Sequence, residues 1–203
     1  MLASIPSELL RSLRLTVVIF AVTGLIYPFV GTGLAQLLFN GQANGSLVTK
    51  NGQVVGSSLI GQQFTSDRYF HGRPSATVNA SSGKPEPYAA DNSAGSNLAP
   101  SNQALIDRVK KDSQTYRQQN GLDANQSVPV DAVTSDFSGL DPSITEANAL
   151  LQVDRVAQAR SLDPAKVRAL VESHVHGRVL WIFGEPYVNV LEVNMALDSG
   201  AVA

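Results

Sequence analysis

The residues best equipped for chemistry lie in one short run, Asp136-Phe137-Ser138-Gly139-Leu140-Asp141-Pro142. A Ser-Gly pair just ahead of a helix offers a hydroxyl and free backbone N–H groups, the means to hold an anion such as phosphate. Asp136 and Asp141 oppose this, because they bring negative charge to the place an anion would take. The simpler reading is a turn plus helix cap, with Asp141 and Ser143 satisfying those donors. Arg73, in His71-Gly72-Arg73-Pro74, is the other anion candidate, with a structural salt bridge as its plain alternative. His174 and His176 are two positions apart, which turns them to different faces of a helix. Even with His71 they lack ligand-like spacing and nearby carboxylates, so no metal site is expected. The chain has no GxxxxGK[ST] phosphate loop, no GxSxG and no HExxH. It also has no cysteine, which excludes thiol catalysis and Cys-based zinc sites.

These residues need elements to position them. Ser143 and Glu146 form an S-x-x-E capping box, which predicts a helix running to about Arg160 with Gln152 and Arg155 on it. Asp163-Pro164 caps the next helix, whose buried face is Val167, Leu170 and Val171, with Gly177 closing it. An earlier helix is expected from near Ser101, with Leu105, Val109 and Tyr116 on one face and Asn120-Gly121 at its end. Asn51-Gly52, between two short apolar runs in residues 45–56, predicts a hairpin with a type I′ turn. Residues 179–183 (VLWIF) read as a strand. The alternation of Tyr187, Asn189, Leu191, Val193, Met195 and Leu197 reads as a longer one, from Tyr187 to Leu197. Residues 72–102 are unusual: 23 of 31 positions are Gly, Ser, Ala, Asn or Pro. Val78, Tyr88 and Leu98 distinguish them from a linker, and they are expected to form an ordered loop that covers a partner.

Ahead of all this stands Leu15 to Phe39, a run of apolar sequence without a charge. A helix of that length, at about 1.5 Å per residue, crosses a hydrocarbon core of about 30 Å with room to tilt. It is longer than a signal h-region, and apolar sequence continues past its small residues, so a retained anchor is expected. The organisation expected is a tail over 1–12, a transmembrane helix over 13–39 and a soluble domain over 40–203. Arg11 and Arg14 precede the span and Lys50 is the first basic residue after it, which predicts a cytoplasmic tail and a periplasmic or extracellular domain. Pro28, after Tyr27, removes a backbone donor and should kink the helix. Gly24 and Gly33, with Gly31, leave flat surface for a neighbouring helix, and Gln36 can hydrogen-bond across a helix pair.

Removing Arg11, Arg14 and Glu8 from totals of 15 basic and 17 acidic residues leaves the outer part with 13 and 16. That is no nucleic-acid surface. The fold class expected is α+β: one N-terminal transmembrane helix, then a mixed domain with a small antiparallel sheet packed on helices. The residues alone lead to a membrane-anchored accessory or binding domain, with an anchored periplasmic enzyme as the competing reading.

Taken in order, the motifs resemble the KdpC family, one of the component chains of the bacterial potassium-transporting P-type ATPase. They are Thr23-Gly24, Tyr27-Pro28 and Ala35-Gln36 in the anchor, then ANGSL (43–47), GSSLIGQQF (56–64), YFHGRPSA (69–76) and AGSNLAPSN (94–102). VPVDAVT (128–134), SGLDP (138–142), Gln152, RVAQAR (155–160) and VNVLEVNMALD (188–198) complete the set. The resemblance implies a non-catalytic subunit of an inner-membrane complex. Its partners would be a channel-like subunit that handles potassium and a catalytic P-type ATPase subunit. The absence of a DKTG motif and the single span agree with that. The resemblance also implies a catalytic chaperone that raises the ATP affinity of the ATPase subunit, with ATP touching Ser138, Gly139, Asp141 and Gln152. A second reading is an outer-side cap on the potassium entrance without nucleotide contact.

Overall fold

The computed structural model describes residues 5–200. The first four residues of the expected tail lie outside the described residues. Two compact units are present, up to Leu47 and from Val48 onward.

The first unit is helical. Helix α1 (Ile5–Ala21) passes through a π-helical turn, Val22–Ile26, into α2 (Tyr27–Leu38), and a short α3 (Asn40–Ala43) follows. The helix therefore starts well before residue 13. Residues Pro6–Leu38 form one run long and apolar enough to cross a membrane. The π turn is the local answer to Pro28. Proline has no N–H to donate four residues back and its ring crowds the carbonyl there. The wider turn relieves this, and the Tyr27 N–H bonds five residues back to the Val22 carbonyl. Gln36 is engaged within its own chain: Oε1 accepts from Asn40 Nδ2 (2.9 Å) and Asn44 Nδ2 (3.1 Å). A Cβ on Gly33 would meet nothing within 4 Å, and one on Gly24 would touch only the Phe20 ring, at 3.7 Å. Both glycines present open surface, as does Tyr27, which is 76% exposed.

The second unit is the α+β domain. Strands β1 (Leu47–Lys50) and β2 (Gln53–Ser57) form the expected hairpin. Asn51 and Gly52 both have positive φ (53° and 79°), as a type I′ turn requires. Helix α4 (Gln103–Gln119) is N-capped by the Asn102 side chain, and Gly121, at φ 64°, turns the chain after it. Only Tyr116 of its expected face is fully buried. A 3-10 turn (Val130–Ala132) leads to β3 (Ser143–Thr145), α5 (Glu146–Arg160), α6 (Pro164–Ser173), β4 (Val175–His176), β5 (Tyr187–Asn189) and α7 (Val190–Asp198). The sheet order is β3-β5-β4, antiparallel throughout, with Ile144 opposite Val188 and Val175 also opposite Val188.

The core lies where α5, α6 and α7 meet this sheet. Val153, Val156 and Ala157 pack with Val167, Leu170, Val171, Val188, Val193, Leu197, Ile144 and Phe70. Asp163 caps α6 through the Ala165 N–H with Pro164 in the first turn, as the sequence predicts.

Four expectations are corrected. Ser143 is a strand residue, and the cap of α5 is Thr145, whose Oγ1 accepts from the Asn148 N–H. The strand expected from Tyr187 to Leu197 ends at Asn189. There the Asn189 side chain accepts from the N–H groups of Leu191 and Glu192 and starts a helix, which buries Val190, Val193, Asn194 and Leu197 at helical spacing. Residues 179–183 form no strand in the sheet. They make a tight exposed loop, closed by an isolated bridge between Val179 and Phe183. Helix α6 also stops at Ser173, ahead of Gly177.

Candidate functional site

Residues 136–141 form a turn folded on itself. Asp136 Oδ2 accepts from the N–H of Ser138 (2.8 Å), the N–H of Gly139 (3.0 Å) and the Ser138 hydroxyl. Ser138 Oγ in turn accepts from the Leu140 N–H at 3.0 Å. Burial works to raise the Asp136 pKa, but hydrogen bonds from Ser138 and the charge of Arg73 outweigh it, and the carboxyl is held below its ordinary range. The cradle expected to hold an anion thus already contains one, a carboxylate of the same chain. A depressed carboxylate contributes stability at pH values above its unfolded pKa and loses it as pH falls through the lower folded value. The turn is therefore tight at neutral pH.

The loop over residues 72–102 is ordered, without helix or strand, and wraps this turn. Ser75 Oγ donates to the Gly139 carbonyl (2.7 Å) and accepts from the Tyr88 N–H (3.0 Å). The Ala94 N–H donates to the Ser138 carbonyl at 2.9 Å. Arg73 Nη1 pairs with Asp141 at 3.1 Å, and Asp141 Oδ1 accepts from the Ser143 N–H at 2.9 Å. Tyr88 Oη donates to the Arg73 carbonyl (2.8 Å). Burial, then the charges of Asp141 and Asp136, push its phenol up to about 12, so it stays a donor.

Gln152 belongs to a second, buried network and is 1% exposed. Its Oε1 accepts from the His71 N–H (2.8 Å) and Arg155 Nη2 (2.6 Å). Its Nε2 donates to the His71 carbonyl (3.2 Å) and Asn148 Oδ1 (2.9 Å). Asn148 Oδ1 also accepts from Tyr116 Oη (2.8 Å), and Asn148 Nδ2 donates to Asp131 (3.0 Å). Arg155 reaches Asn120 Oδ1 (3.0 Å) and the carbonyls of Asp67 (2.8 Å) and Tyr69 (3.0 Å). One chain of side chains thus ties α4, the 3-10 turn and α5 to residues 67–71. The sequence reading missed Asp131, Asn148 and Arg155 as partners. Their signal was the row Asn148, Gln152, Arg155 on one face of α5, polar where a core-facing stripe should be apolar.

Between the turn and this network lies a cleft of about 450 Å³, lined among others by His71, Arg73, Tyr88, Tyr116 and Gln152. Ser138, Gly139 and Asp141 are not among its lining residues, so the four residues expected to share a nucleotide do not share this cleft. It contains no nucleophile paired with a base. His174 bonds to the Leu170 carbonyl through Nδ1 (2.8 Å), and His176 stacks on Tyr187 and meets Glu192 at 2.9 Å. Among the described residues no group of three or more His, Asp or Glu side chains could hold a metal ion.

His71 is held below its ordinary pKa of 6.5 by burial first and by Arg155 second. The unfolded chain therefore binds this proton more readily than the folded one, and stability is lost as pH falls below 6.5. We expect an NMR titration of the ring to give a midpoint below 6.5. The melting temperature should fall on acidification from pH 7 to pH 5, and fall less in His71→Gln.

The family model for the c chain of the K+-transporting ATPase matches residues 9–199. The chain belongs to the KdpC family. A Potassium-transporting ATPase KdpC subunit of Methylobacterium nodulans is 53% identical over 192 residues, 92% of this chain and 94% of that protein. The one from Bradyrhizobium diazoefficiens is 49% identical over 199 residues, covering 96% and 98%. That of Mycobacterium tuberculosis is 48% identical over 191 residues, covering 94% and 97%. Among the described residues one apolar helix, Pro6–Leu38, has the length and composition of a membrane anchor, which suits a subunit of a potassium-transporting ATPase.

Proposed function

We propose that this chain is the accessory subunit of an ATP-driven potassium uptake complex of the bacterial inner membrane. It acts by contact with its partners, a channel-like potassium-binding subunit and a catalytic P-type ATPase subunit. As a catalytic chaperone it raises the ATP affinity of the ATPase subunit through the assembled complex, without holding nucleotide itself. The observation that carries this reading is the filled cradle: the Ser138 and Gly139 donors are spent on Asp136, and both ends of the Gln152 amide are spent inside the domain. A phosphate at that turn would meet the ionised Asp136 at contact distance. The arginines at 11 and 14 favour the domain outside the cytoplasm, where ATP is absent. There the domain would cover the potassium entrance of the channel-like subunit.

Two measurements test this. The chain lacks cysteine, so Ser82→Cys, on an exposed loop, gives a single label site. A membrane-impermeant maleimide should label it in intact cells, and labelling only after permeabilisation would refute the outer-side role. The second is an ATP titration of the full chain in detergent micelles. No saturable binding is expected up to millimolar ATP, and saturable binding abolished by Asp141→Asn would restore direct nucleotide contact.

A further inference from the structure

The domain carries a surface feature that its own fold does not use. Val179, Leu180, Trp181, Ile182 and Phe183 are five consecutive apolar residues, each more than 60% exposed, with Trp181 at 90%. Leu180 and Trp181 both sit in the left-handed region (φ 52° and 61°), which side chains of their size rarely adopt. Isolated apolar residues on a surface need no explanation, but a contiguous exposed run marks an interaction site. Strained backbone held in place by its surroundings points the same way.

We propose that residues 179–183 are a finger that inserts into the interfacial layer of the bilayer. Three features of the loop favour lipid as the occupant. Four of its five N–H groups are paired within the loop: those of Val179, Trp181, Ile182 and Phe183 find carbonyls within residues 178–183. Donors already paired lower the cost of leaving water for the interfacial layer. The tip holds no charge. The nearest, Arg178 and Glu185, pair with each other at its base at 2.6 Å, so no unpaired ion need be dragged inward. Trp and Phe among aliphatic residues are the side chains that settle at a membrane–water interface. The inference rests on the helix crossing a bilayer and is independent of which side the domain occupies.

Trp181 is the only tryptophan of the chain, so its emission reports on the finger alone. The full chain is reconstituted into phosphatidylcholine vesicles, with or without bromine on the acyl chains. Flotation with the vesicles checks the anchor separately. The expected result is emission shifted to the blue relative to detergent-free aqueous standards, quenched by the brominated lipid and poorly quenched by iodide. Ile182→Asp places a charge at the tip and touches nothing in the core. It should reverse both quenching results while far-UV circular dichroism and the melting temperature stay unchanged. Emission that is open to iodide and blind to bromolipid overturns the proposal. So does bromolipid quenching that survives Ile182→Asp. Protection that appears only when the partner subunits are reconstituted alongside also overturns it, and assigns the finger to a protein socket.

Discussion

Gln152→Ala should cost the domain about 3–4 kcal/mol, and should do so in the isolated chain with no nucleotide present. Each unpaired buried polar group costs about 1–3 kcal/mol. Truncation at Gln152 leaves the His71 N–H, the His71 carbonyl and one arm of Arg155 without their partner. Residues 67–71 then lose their two bonds to Gln152, and Arg155, which holds the Asp67 and Tyr69 carbonyls, loses one of its acceptors; the bonds of Arg68 to Ala159 and Arg160 at the end of α5 remain. For a domain of this size 1 kcal/mol moves the melting temperature by roughly 2–4 °C, so a fall of about 6–16 °C is expected. Gln152→Glu should fall between the wild type and Gln152→Ala. Its carboxylate keeps the acceptors for the His71 N–H and Arg155, but turns an oxygen toward the His71 carbonyl and Asn148 Oδ1. The measurement is thermal unfolding of the full chain in detergent, followed by circular dichroism. A residue that only contacted ATP would melt like the wild type, and that outcome would return Gln152 to the nucleotide reading.

What the sequence made legible depended on how local the cause was. The Asn51-Gly52 turn and the Asp163-Pro164 cap are settled by a few adjacent residues, and both stand in the structure. The segment after Tyr187 shows the opposite case. Its apolar residues satisfy a period of two at Leu191, Val193 and Leu197, and a helical period at Val190, Val193 and Leu197. Periodicity could not arbitrate. Asn189, followed three residues later by Glu192, is a capping signature and was the deciding sign. Thr145 likewise outcompetes Ser143 as a cap, because Ser143 is already paired with Asn189 across the sheet. The Ser-Gly turn was visible as a turn, and its occupant is just as local: Asp136, two and three positions ahead of Ser138 and Gly139, closes an Asx turn on their N–H groups, so its charge is the anion in the cradle and not merely a charge that opposes one. The role of Gln152 was the least legible. Its partners at His71 lie 81 positions away, beyond any local pattern.

Gly139→Ala should be the other severe substitution, and its cause is purely steric. Gly139 has φ +69°, and a Cβ there would stand 2.6 Å from Thr77 Cγ2 and 2.7 Å from the Ala94 carbonyl oxygen. A left-handed conformation costs an ordinary residue about 1–2 kcal/mol. Forcing a methyl into filled space adds about 1–3 kcal/mol. A total of about 2–5 kcal/mol is expected, seen as a lowered melting temperature. Because residues 72–102 close over the turn through Ala94 N–H to Ser138 and Ser75 Oγ to Gly139, they should become more open to protease. Thr77→Ser removes the nearer obstacle, the Cγ2 methyl, and keeps the hydroxyl that binds the Glu86 carbonyl at 2.5 Å. The double variant should therefore recover part of the loss. It should not recover all of it, since the Ala94 carbonyl and the positive φ remain. Full recovery would mean the two backbones are free to part, and the turn would then be loose enough to exchange Asp136 for an outside anion. Partial recovery keeps the cradle closed and leaves the domain to act through its surfaces.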